Sequence, residues 1–511
     1  MKYLIPALVV VGTVALPAFA KIELGTPFAD NMVLQRGREV PVWGKAAPNS
    51  EVTVEFAGNE VSATVCKGGC WKVMLPAMDA SKDNRSLTVT ETEPGFFGST
   101  TDTVELKNVL VGEVWMCSGQ SNTDCPIWGN SPRYRDGWGA MTLTSVVKPF
   151  VRLVKTPLVA SATPRYGYHA EWTPMTPDLY ARWQQGKRLP SAMGYYYALE
   201  LANALDIPIG LVDSSWGGTN IDAWTPRSGY DGIAGLEAER DWKIVGEKEW
   251  KPEMKKGPVG SWIQQPGALW NGMVAAYAPM ACRGFIWYQG CHNAGEHSRY
   301  CAKMHALYNG WSKEFKNPDL KLYFVQLAPW GNPIIPDIQM AQAQFDAEEK
   351  NAGMAVINDV ANLTDIHPND KRTVAKRLSL HALKRDYGFG TVRDNSPTLK
   401  SWKIDGDRFV LSFNDAEGWY VYNHKAGDKT VGFEVAGEDG VWKPAGLVNA
   451  KIIKDRNGRP NFRGEVTGTD LVVMSPEVKA PVKLRYLHSS PWFGALYNSH
   501  CLPLGAFACG K

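Results

Sequence analysis

The segment that decides the fold is Val109-Leu-Val-Gly-Glu-Val-Trp-Met-Cys117, which runs directly into Ser118-Gly-Gln-Ser-Asn122. The first part is a nearly continuous apolar run of strand length. Such a run is typical of a strand buried on both faces, as in a parallel sheet. The second part is a short stretch of small polar residues. The segment therefore predicts a central strand that ends in a polar turn.

Similar apolar runs follow along the chain and alternate with helical patterns. The further predicted strands are Ile207–Asp213, Gly284–Tyr288, Leu320–Leu327 and Ala355–Asp359, and the predicted helices are Ser191–Leu205, Tyr300–Phe315, Pro336–Lys350 and Asn369–Tyr387. This alternation is typical of an α/β fold, a parallel sheet covered by helices on both faces. In such sheets the site lies beyond the carboxyl ends of the strands.

Two flanking regions have a different pattern, with short strand-like runs between Gly, Pro, Asn and Asp residues. The run Val52-Thr-Val-Glu-Phe56 alternates with a period of two, and Arg408–Phe413 is also strand-like. Such patterns are typical of a β-sandwich. We therefore predict an N-terminal β domain over 21–108, a catalytic α/β domain over 109–393 and a C-terminal β domain over 394–511.

The first twenty residues predict export. Lys2 gives a positive start, an apolar run extends from Tyr3 to Leu16, and Ala18-Phe-Ala20 has the small-residue pattern of a cleavage site. We expect a signal peptide that is cut after Ala20, which makes the protein secreted or periplasmic. The alternative is an uncleaved membrane anchor. After cleavage we expect no membrane partner.

The composition excludes several classes of protein. Hydrophobic residues make up 44% of the 511 residues, which excludes a mainly disordered chain. The 55 Lys and Arg nearly balance the 52 Asp and Glu, so the net charge of +3 gives no sign of a nucleic-acid partner. The 20 Trp are an unusual number, and Trp faces suit stacking on sugar rings, although most Trp residues lie in cores.

Export makes disulfide bonds the expected fate of most of the nine cysteines. Nine is odd, so at least one thiol stays unpaired within the chain. Cys117 lies inside an apolar strand and is predicted to be a buried thiol. The predicted pairs are Cys66 with Cys70, Cys501 with Cys509, and Cys291 with either Cys301 or Cys125.

A metal site competes with the disulfide at one place in the sequence. Cys291, His292, His297 and Cys301 offer four possible ligands within eleven residues. Zinc binds such thiolate and imidazole sets. In an exported protein we favour the disulfide, and we predict no metal.

Polar residues that suit acyl transfer follow several of the predicted strands. Ser121 follows the first strand, Gly217 and Gly218 follow the second, Asn293 follows the third, and His367 follows the last. Each residue alone is an ordinary turn or cap residue. Together, at one edge of a sheet, they supply a nucleophile, a base and hydrogen-bond donors for an oxyanion.

Several ordered segments resemble a known family, the sialate O-acetylesterase branch of the SGNH hydrolases. The resemblance covers nearly the whole mature chain. The segments that carry it are Trp115–Asn122, Ile209–Thr219, Leu269–Gly272, Phe285–Gly290, Phe324–Pro329 and Asp365–Pro368. The resemblance implies a flavodoxin-like central sheet with β domains beside it. It also implies removal of O-acetyl groups from sugars without a cofactor.

The resemblance also implies roles for individual residues. Ser121 is the expected nucleophile and His367 the expected base. The expected oxyanion donors are the N–H of Ser121 together with Gly218 and Asn293. Three neighbouring residues are predicted to contact the substrate, namely Gln120, Trp216 and Gln289.

The sequence departs from the family at two points. The family usually has Glu-Ser-Asn after Gln-Gly, whereas this chain has Cys291-His-Asn293. The family Asp commonly stands three residues before the His, but that position here is Thr364. Either Asp365, two residues before His367, completes the triad, or a backbone carbonyl orients the imidazole and the site is a Ser–His dyad.

The leading prediction is therefore a secreted serine esterase that removes O-acetyl groups from sugars, with sialic acid as the first candidate. A second prediction is deacetylation of a plant polysaccharide such as acetylxylan. A third, of a different class, is a sugar-binding protein whose catalysis is lost through the changed Cys291-His-Asn293 segment.

Overall fold

A computed structural model describes residues 22–95, 98–129, 138–244, 263–330, 334–422, 431–488 and 496–510. The predicted signal peptide at 1–20 lies outside these residues. Among the helices of the described ranges, we find none with the length and apolar character needed to span a bilayer.

The N-terminal region is built from β-strands, as predicted. They are β1 (Glu23–Leu24), β2 (Val33–Gln35), β3 (Val40–Lys45), β4 (Glu51–Phe56), β5 (Asn59–Thr64), β6 (Cys70–Leu75), β7 (Ser81–Gly95) and β8 (Gly98–Gly119). Strands β1, β3 and β6 form one antiparallel sheet. Strands β5, β4 and β7 form a second one, which continues into β8.

Strand β8 is 22 residues long and belongs to two regions of the molecule. Its first half pairs with β7 and is mostly exposed, whereas every residue from Val109 to Gly119 is buried. The predicted domain boundary at residue 108 falls inside this strand. One apolar cluster also extends from Ile22 to Leu383. The N-terminal strands therefore share a sheet and a core with the central region, instead of forming a separate sandwich.

The central sheet is parallel, as predicted. Its further strands are β9 (Lys148–Lys155), β10 (Thr173–Met175), β11 (Ile209–Ser215), β12 (Gly284–Tyr288), β13 (Lys321–Val325) and β14 (Ala352–Ala355). The spatial order is β10-β9-β11-β8-β12-β13-β14, and only β10 pairs antiparallel along this path. Strand β9 was not predicted because charged residues interrupt its pattern. The last strand ends at Ala355, where the sequence predicted its start.

The α-helices in the described residues are α1 (Ser121–Asp124), α2 (Gly139–Ser145), α3 (Asp178–Gln184), α4 (Ala192–Leu205), α5 (Glu237–Arg240), α6 (His297–Glu314), α7 (Ile335–Glu348) and α8 (Lys371–Arg385). Four of them, α4, α6, α7 and α8, lie close to predicted positions, and the four short ones were not predicted. The Ser191 hydroxyl caps α4 by accepting from Gly194 N–H, and the Asp370 carboxylate caps α8 in the same way. Helix α4 packs against α8, and α6 packs against α7.

The C-terminal region is again built from strands. They are β15 (Thr398–Asp405), β16 (Arg408–Asn414), β17 (Trp419–Tyr422), β18 (Phe433–Ala436), β19 (Lys443–Leu447), β20 (Ala450–Lys454), β21 (Pro460–Val466), β22 (Leu471–Met474), β23 (Lys483–Tyr486), β24 (Leu496–Asn498) and β25 (Phe507–Gly510). They form a seven-stranded and a four-stranded sheet. The two sheets share an apolar cluster that is separate from the central one.

All nine cysteines lie in the described residues, and no disulfide bond joins any two of them there, so none of the predicted pairs is formed. Cys301 Sγ instead lies 3.4 Å from an oxygen of Glu348, and Cys125 Sγ lies 3.9 Å from the carbonyl of Pro126. Cys117 is buried in β8, as predicted.

Candidate active site

A sharp bend after β8 presents Ser121 at the carboxyl edge of the sheet. Gly119 adopts φ +136°, and a methyl group there would lie 2.4 Å from the Tyr288 carbonyl, so only glycine fits. Ser121 then begins α1 and is only partly buried. Ser118, the other serine of the segment, is fully buried in β8 and out of reach of a substrate.

The structure brings Ser121, His367 and Asp365 together. His367 lies in the loop between β14 and α8 and is 4% exposed. Its Nε2 lies 2.9 Å from Ser121 Oγ, and its Nδ1 lies 2.9 Å from Asp365 Oδ1. Since an ionised carboxylate only accepts hydrogen bonds, Nδ1 donates to Asp365 and Nε2 accepts from the serine hydroxyl.

A tight turn explains how Asp365 reaches an imidazole only two residues ahead. Asp365 Oδ1 accepts from the backbone N–H of His367 at 3.0 Å as well as from its ring. The chain therefore folds back over the carboxylate. Of the two alternatives that the sequence left open, this geometry favours the carboxylate over a backbone carbonyl.

Two buried side chains fix the distance between the serine and histidine segments. Asn122 Nδ2 donates to the Ile366 carbonyl at 2.8 Å. Lys371 Nζ donates to Asn122 Oδ1 at 2.6 Å and to the Pro368 carbonyl at 2.7 Å. Sequence reasoning missed Lys371, because a lysine in the first turn of a helix is ordinarily a solvent-exposed residue.

The Gly217–Gly218 turn lies directly beside the serine. A methyl group on Gly217 would lie 3.4 Å from Ser121 Cβ. Gly218 has φ +74°, in the left-handed region that favours glycine. Its carbonyl accepts from Gln264 Nε2 at 2.6 Å, which holds the turn in place.

Asn293 is fully buried, and protein partners orient its side-chain amide. Its Oδ1 accepts from Ile221 N–H at 3.0 Å and from Gln289 Nε2 at 2.7 Å. Its Nδ2 donates to Glu296 at 2.7 Å. The amide nitrogen carries two hydrogens, and this bond uses one of them.

The carboxylate that accepts from Asn293 belongs to a hydrogen-bonded group of charged side chains, namely Glu296, Lys303 and Asp222. Lys303 is almost completely buried and donates to Asp222 at 2.8 Å and to Glu296 at 3.0 Å. Burial alone would raise the pKa of Glu296, but the bonds from Lys303 and Asn293 outweigh it and hold that pKa below its ordinary value. Glu296 therefore stays ionised and keeps accepting from Asn293.

The three predicted substrate residues are all buried. Gln289 is 0% exposed, and its amide bonds to Asn293, to the Thr219 carbonyl and to Tyr300. The Gln289 side chain is thus enclosed and orients Asn293, and a substrate contact at Gln289 stays a prediction. Gln120 Oε1 accepts from the N–H groups of Gly290 and His292. Trp216 is 8% exposed.

The predicted metal alternative does not assemble in the described residues. The ligand atoms that do converge belong to Cys301, His305 and Glu348, which lie within 4.8 Å of one another, and only Cys301 was singled out from the sequence. Cys291 is not a member of this group. Burial raises the pKa of its thiol to about 12.

Comparison with known proteins identifies the class. A parallel α/β sheet with a serine, a histidine and a carboxylate in hydrogen-bond contact at its carboxyl edge defines a hydrolase-like site. Residues 247–379 match the family described as carbohydrate esterase, sialic acid-specific acetylesterase. The structure superposes on a carbohydrate acetylesterase from Xanthomonas citri with a TM-score of 0.77 and 29% identity, over 96% of this chain and 100% of that one.

Curated relatives narrow the assignment. The chain is 28% identical to sialate O-acetylesterase of Rattus norvegicus over 459 residues, which cover 77% of this chain and 80% of that one. It is 27% identical to that of Homo sapiens over 393 residues, which cover 70% of each. The match over residues 247–379 and these relatives agree with the family that the resemblance predicted. The chain is a sialate O-acetylesterase-like carboxylic-ester hydrolase.

Proposed function

We propose that this protein is an exported serine esterase of the SGNH type that removes O-acetyl groups from sugars, sialic acid first among them, through an acetyl-serine intermediate. The observation that carries the proposal is the hydrogen-bonded row from Ser121 Oγ through His367 to Asp365. This row supplies an accessible nucleophile, a base in reach of it and a carboxylate that orients the base.

The reaction follows from this geometry. His367 Nε2 takes the hydroxyl proton as Ser121 Oγ bonds to the acetyl carbonyl carbon. Asp365 stabilises the imidazolium that forms. The negative oxygen of the tetrahedral intermediate is held by Ser121 N–H, Gly218 N–H and the second hydrogen of Asn293 Nδ2.

The intermediate then collapses and is cleared by water. The carbon–oxygen bond to the sugar breaks, and His367 returns its proton to the departing sugar oxygen. His367 next takes a proton from water as the water oxygen attacks the acetyl-serine. Acetate leaves, and the proton returns to Ser121 Oγ.

A serine-directed fluorophosphonate tests the nucleophile. We expect its mass on the peptide that contains Ser121 and loss of nearly all acetate release in Ser121→Ala, with an unchanged unfolding temperature. Ser118→Ala is the matched control and should keep its activity, since Ser118 is enclosed in β8. Labelling at Ser118 would overturn the assignment.

Acetate release from O-acetylated sialic acid and from acetylxylan, measured side by side, tests the substrate. Faster turnover of acetylxylan would favour the polysaccharide alternative. Absence of turnover on either substrate and on p-nitrophenyl acetate would favour a sugar-binding protein. Export is tested separately by sequencing the N-terminus of the mature protein, which should begin at Lys21.

A further inference from the structure

Three side chains that commonly bind metal ions meet where helix α6 packs against helix α7. They are Cys301 and His305 of α6 and Glu348, the last residue of α7. Each offers one ligand atom, and the three atoms all lie within 4.8 Å of one another. Thiolate, imidazole and carboxylate are the side-chain ligands of zinc in proteins. The group therefore has the chemistry of a zinc site.

The sequence spacing places two of the three ligands on one face of a helix. Cys301 and His305 are four residues apart in α6, and residues at this spacing are neighbours on a helix surface. The same spacing separates the two zinc-binding histidines of the His-Glu-x-x-His motif. Glu348 is 47 residues from Cys301 in the chain. The sequence therefore predicted no metal here, because the third ligand comes close only when α7 packs on α6.

The distances within this group fit zinc coordination. Cys301 Sγ lies 3.4 Å from Glu348 Oε2, and His305 Nε2 lies 2.9 Å from the same oxygen. Tetrahedral zinc, about 2.0–2.3 Å from each ligand, separates neighbouring ligand atoms by about 3.3–3.6 Å. Both observed distances lie within about 0.5 Å of that range. A zinc ion thus needs only small side-chain rotations to enter between the three atoms.

Neighbouring side chains already orient two of the ligands. Gln344, one turn before Glu348 in α7, donates from Nε2 to Glu348 Oε1 at 2.8 Å, which leaves Oε2 to the thiol and the imidazole. The His305 ring packs edge to face on Phe345, with centroids 4.8 Å apart. Metal ligands in proteins are usually held by such partners, which fix the direction of the ligand atoms.

The charge and exposure of the group favour a cation. Among the described residues, Glu348 forms an ion pair with no lysine or arginine, and its side chain contacts Cys301, His305 and Gln344. The carboxylate thus lacks a permanently charged partner, and a bound cation supplies one. The side chains of His305 and Glu348 are 26% and 46% exposed. Solvent can therefore deliver the ion and supply water as its fourth ligand.

We propose that Cys301, His305 and Glu348 bind one zinc ion that ties α6 to α7, with water as the fourth ligand. On binding, the Cys301 thiol loses its proton to solvent, and the imidazole binds through Nε2 while its proton stays on Nδ1. The soft thiolate and the imidazole select zinc over magnesium and calcium, which prefer oxygen ligands. None of the three ligands belongs to the serine–histidine–carboxylate row, so the inference does not depend on the proposed esterase function.

A tie between these helices also supports the Asn293 amide. Tyr300, the residue before Cys301 in α6, donates to Gln289 Oε1 at 2.8 Å. Gln342 of α7 donates to the Gln289 carbonyl at 3.4 Å. Gln289 in turn donates to Asn293 Oδ1. The two helices thus hold the residue that orients Asn293, and a bound ion should make this part of the molecule harder to unfold.

Calorimetry with zinc chloride on the reduced, chelator-treated protein tests the site. We expect zinc to bind the wild type, and we expect Cys301→Ser, His305→Ala and Glu348→Gln each to weaken binding roughly tenfold or more, because each removes one ligand. Magnesium and calcium chloride should give no binding at the same concentrations. A wild type that does not bind zinc, an unchanged affinity in any one of the three variants, or equal binding of magnesium would overturn the proposal.

Matched variants remove similar groups elsewhere in the chain. His500→Ala removes an imidazole that lies 3.3 Å from the Glu417 carboxylate, and Cys70→Ser removes an exposed thiol. Neither group belongs to the three-ligand set, so both variants should bind zinc as the wild type does. A loss of binding in either control as large as that in Cys301→Ser would place the ion elsewhere and overturn the proposal.

Two further measurements report on the ion itself. Cobalt in place of zinc should give a thiolate-to-metal absorption band with the wild type and none with Cys301→Ser, and a band that persists in the variant would exclude Cys301 as a ligand. Excess zinc should raise the unfolding temperature of the wild type by roughly 2 °C or more. The rise is measured within each variant, so a change in the stability of the metal-free variant cancels. An equal rise in Glu348→Gln would overturn the proposal.

Discussion

At the residue scale, the site depends on side chains that hold other side chains. Asp365 holds His367, Lys371 holds the segments on both sides of the serine–histidine bond, and Glu296 holds Asn293. Of these, only Asp365 was visible in the sequence, since it stands near a histidine in a strand-end loop. Lys371 donates to Asn122, which is far from it in the sequence, and Glu296 accepts from Asn293 within a turn that has no sequence pattern. Neither contact could be predicted before the fold was known.

Removal of the Asp365 charge should lower turnover strongly. Asp365→Asn keeps the shape of the side chain but no longer stabilises the imidazolium formed during attack. A neighbouring negative charge favours the charged imidazolium, so the acid limb of kcat/KM against pH should move to lower pH in the variant. The measurement is a pH profile of acetate release.

The alternative dyad predicts a different result for the same variant. If a backbone carbonyl orients His367, Asp365→Asn should keep nearly normal kcat and leave the acid limb in place. The rate at which the fluorophosphonate labels Ser121 is a second measurement. It reports on activation of the serine hydroxyl without the step in which water clears the acetyl-serine.

Removal of the Asn293 amide should act on the transition state. Loss of one oxyanion donor costs about 10²–10³ in kcat in related chemistry, and Asn293→Ala should show a loss of this size with little change in KM. Asn293 also accepts from Ile221 N–H, so the unfolding temperature should fall as well, and activity is compared well below it. A defect that lies mainly in KM would make Asn293 a substrate-binding residue.

At the element scale, strands and helices with strong apolar patterns were predictable and those with mixed patterns were not. The buried half of β8 and helices α4 and α6 to α8 fall within a few residues of their predicted bounds. Strand β9 escaped prediction because its run Lys148–Lys155 carries charges at both ends and in the middle. The Cys291–Glu296 turn, which presents Asn293, has no periodic pattern to detect.

Helix α8 is tied to the start of the C-terminal region by a buried ion cluster. Asp394 accepts from His381 at 3.1 Å and from Arg385 at 2.6 Å. Burial alone would raise the pKa of Asp394, but these partners outweigh it and hold that pKa well below its ordinary range. The cluster therefore stabilises the folded state above the ordinary aspartate pKa of about 3.9, and this stability is lost as the pH falls through the lower, folded-state pKa.

Asp394→Asn should therefore lower the free energy of unfolding near neutral pH by roughly 2–3 kcal/mol, because it leaves the Arg385 guanidinium and the buried His381 ring without the carboxylate that accepts from them. The difference in the free energy of unfolding between this variant and the wild type should become smaller as the pH falls below the ordinary aspartate pKa. Thermal unfolding across pH measures both. Asp407→Asn is the matched control, since its pair with Arg408 is exposed, and it should change stability by less than about 0.5 kcal/mol. Equal effects of the two substitutions would contradict a role for the buried cluster.

At the scale of the whole molecule, the cysteine thiols differ in pKa according to whether they are exposed or buried. Cys66 is exposed, and hydrogen bonds from the backbone N–H of Cys70 and Gly68 hold the pKa of its thiol below the ordinary value. Burial raises the pKa of both Cys282 and Cys291 to about 12. The chain thus contains exposed cysteines that are expected to be reactive and buried cysteines that are expected to be inert.

Alkylation of the native, unreduced protein at about pH 8 should therefore modify Cys66 first and leave Cys282 and Cys291 untouched until the protein is unfolded. Peptide mass spectrometry gives the order. A crosslinked Cys66–Cys70 peptide would instead support the disulfide predicted from the sequence. Rapid alkylation of Cys291 would contradict its burial.

The length of β8 has a consequence for how this enzyme can change in evolution and in the laboratory. A sugar-binding module on a flexible linker can be exchanged between enzymes as a cassette, because no strand crosses the junction. Here the junction lies in the middle of one strand, and the same strand ends two residues before Ser121. Recombination or truncation near residue 108 would cut the strand that positions the nucleophile. The two regions should therefore be inherited, and engineered, as one unit, whereas the C-terminal strands have an apolar core of their own.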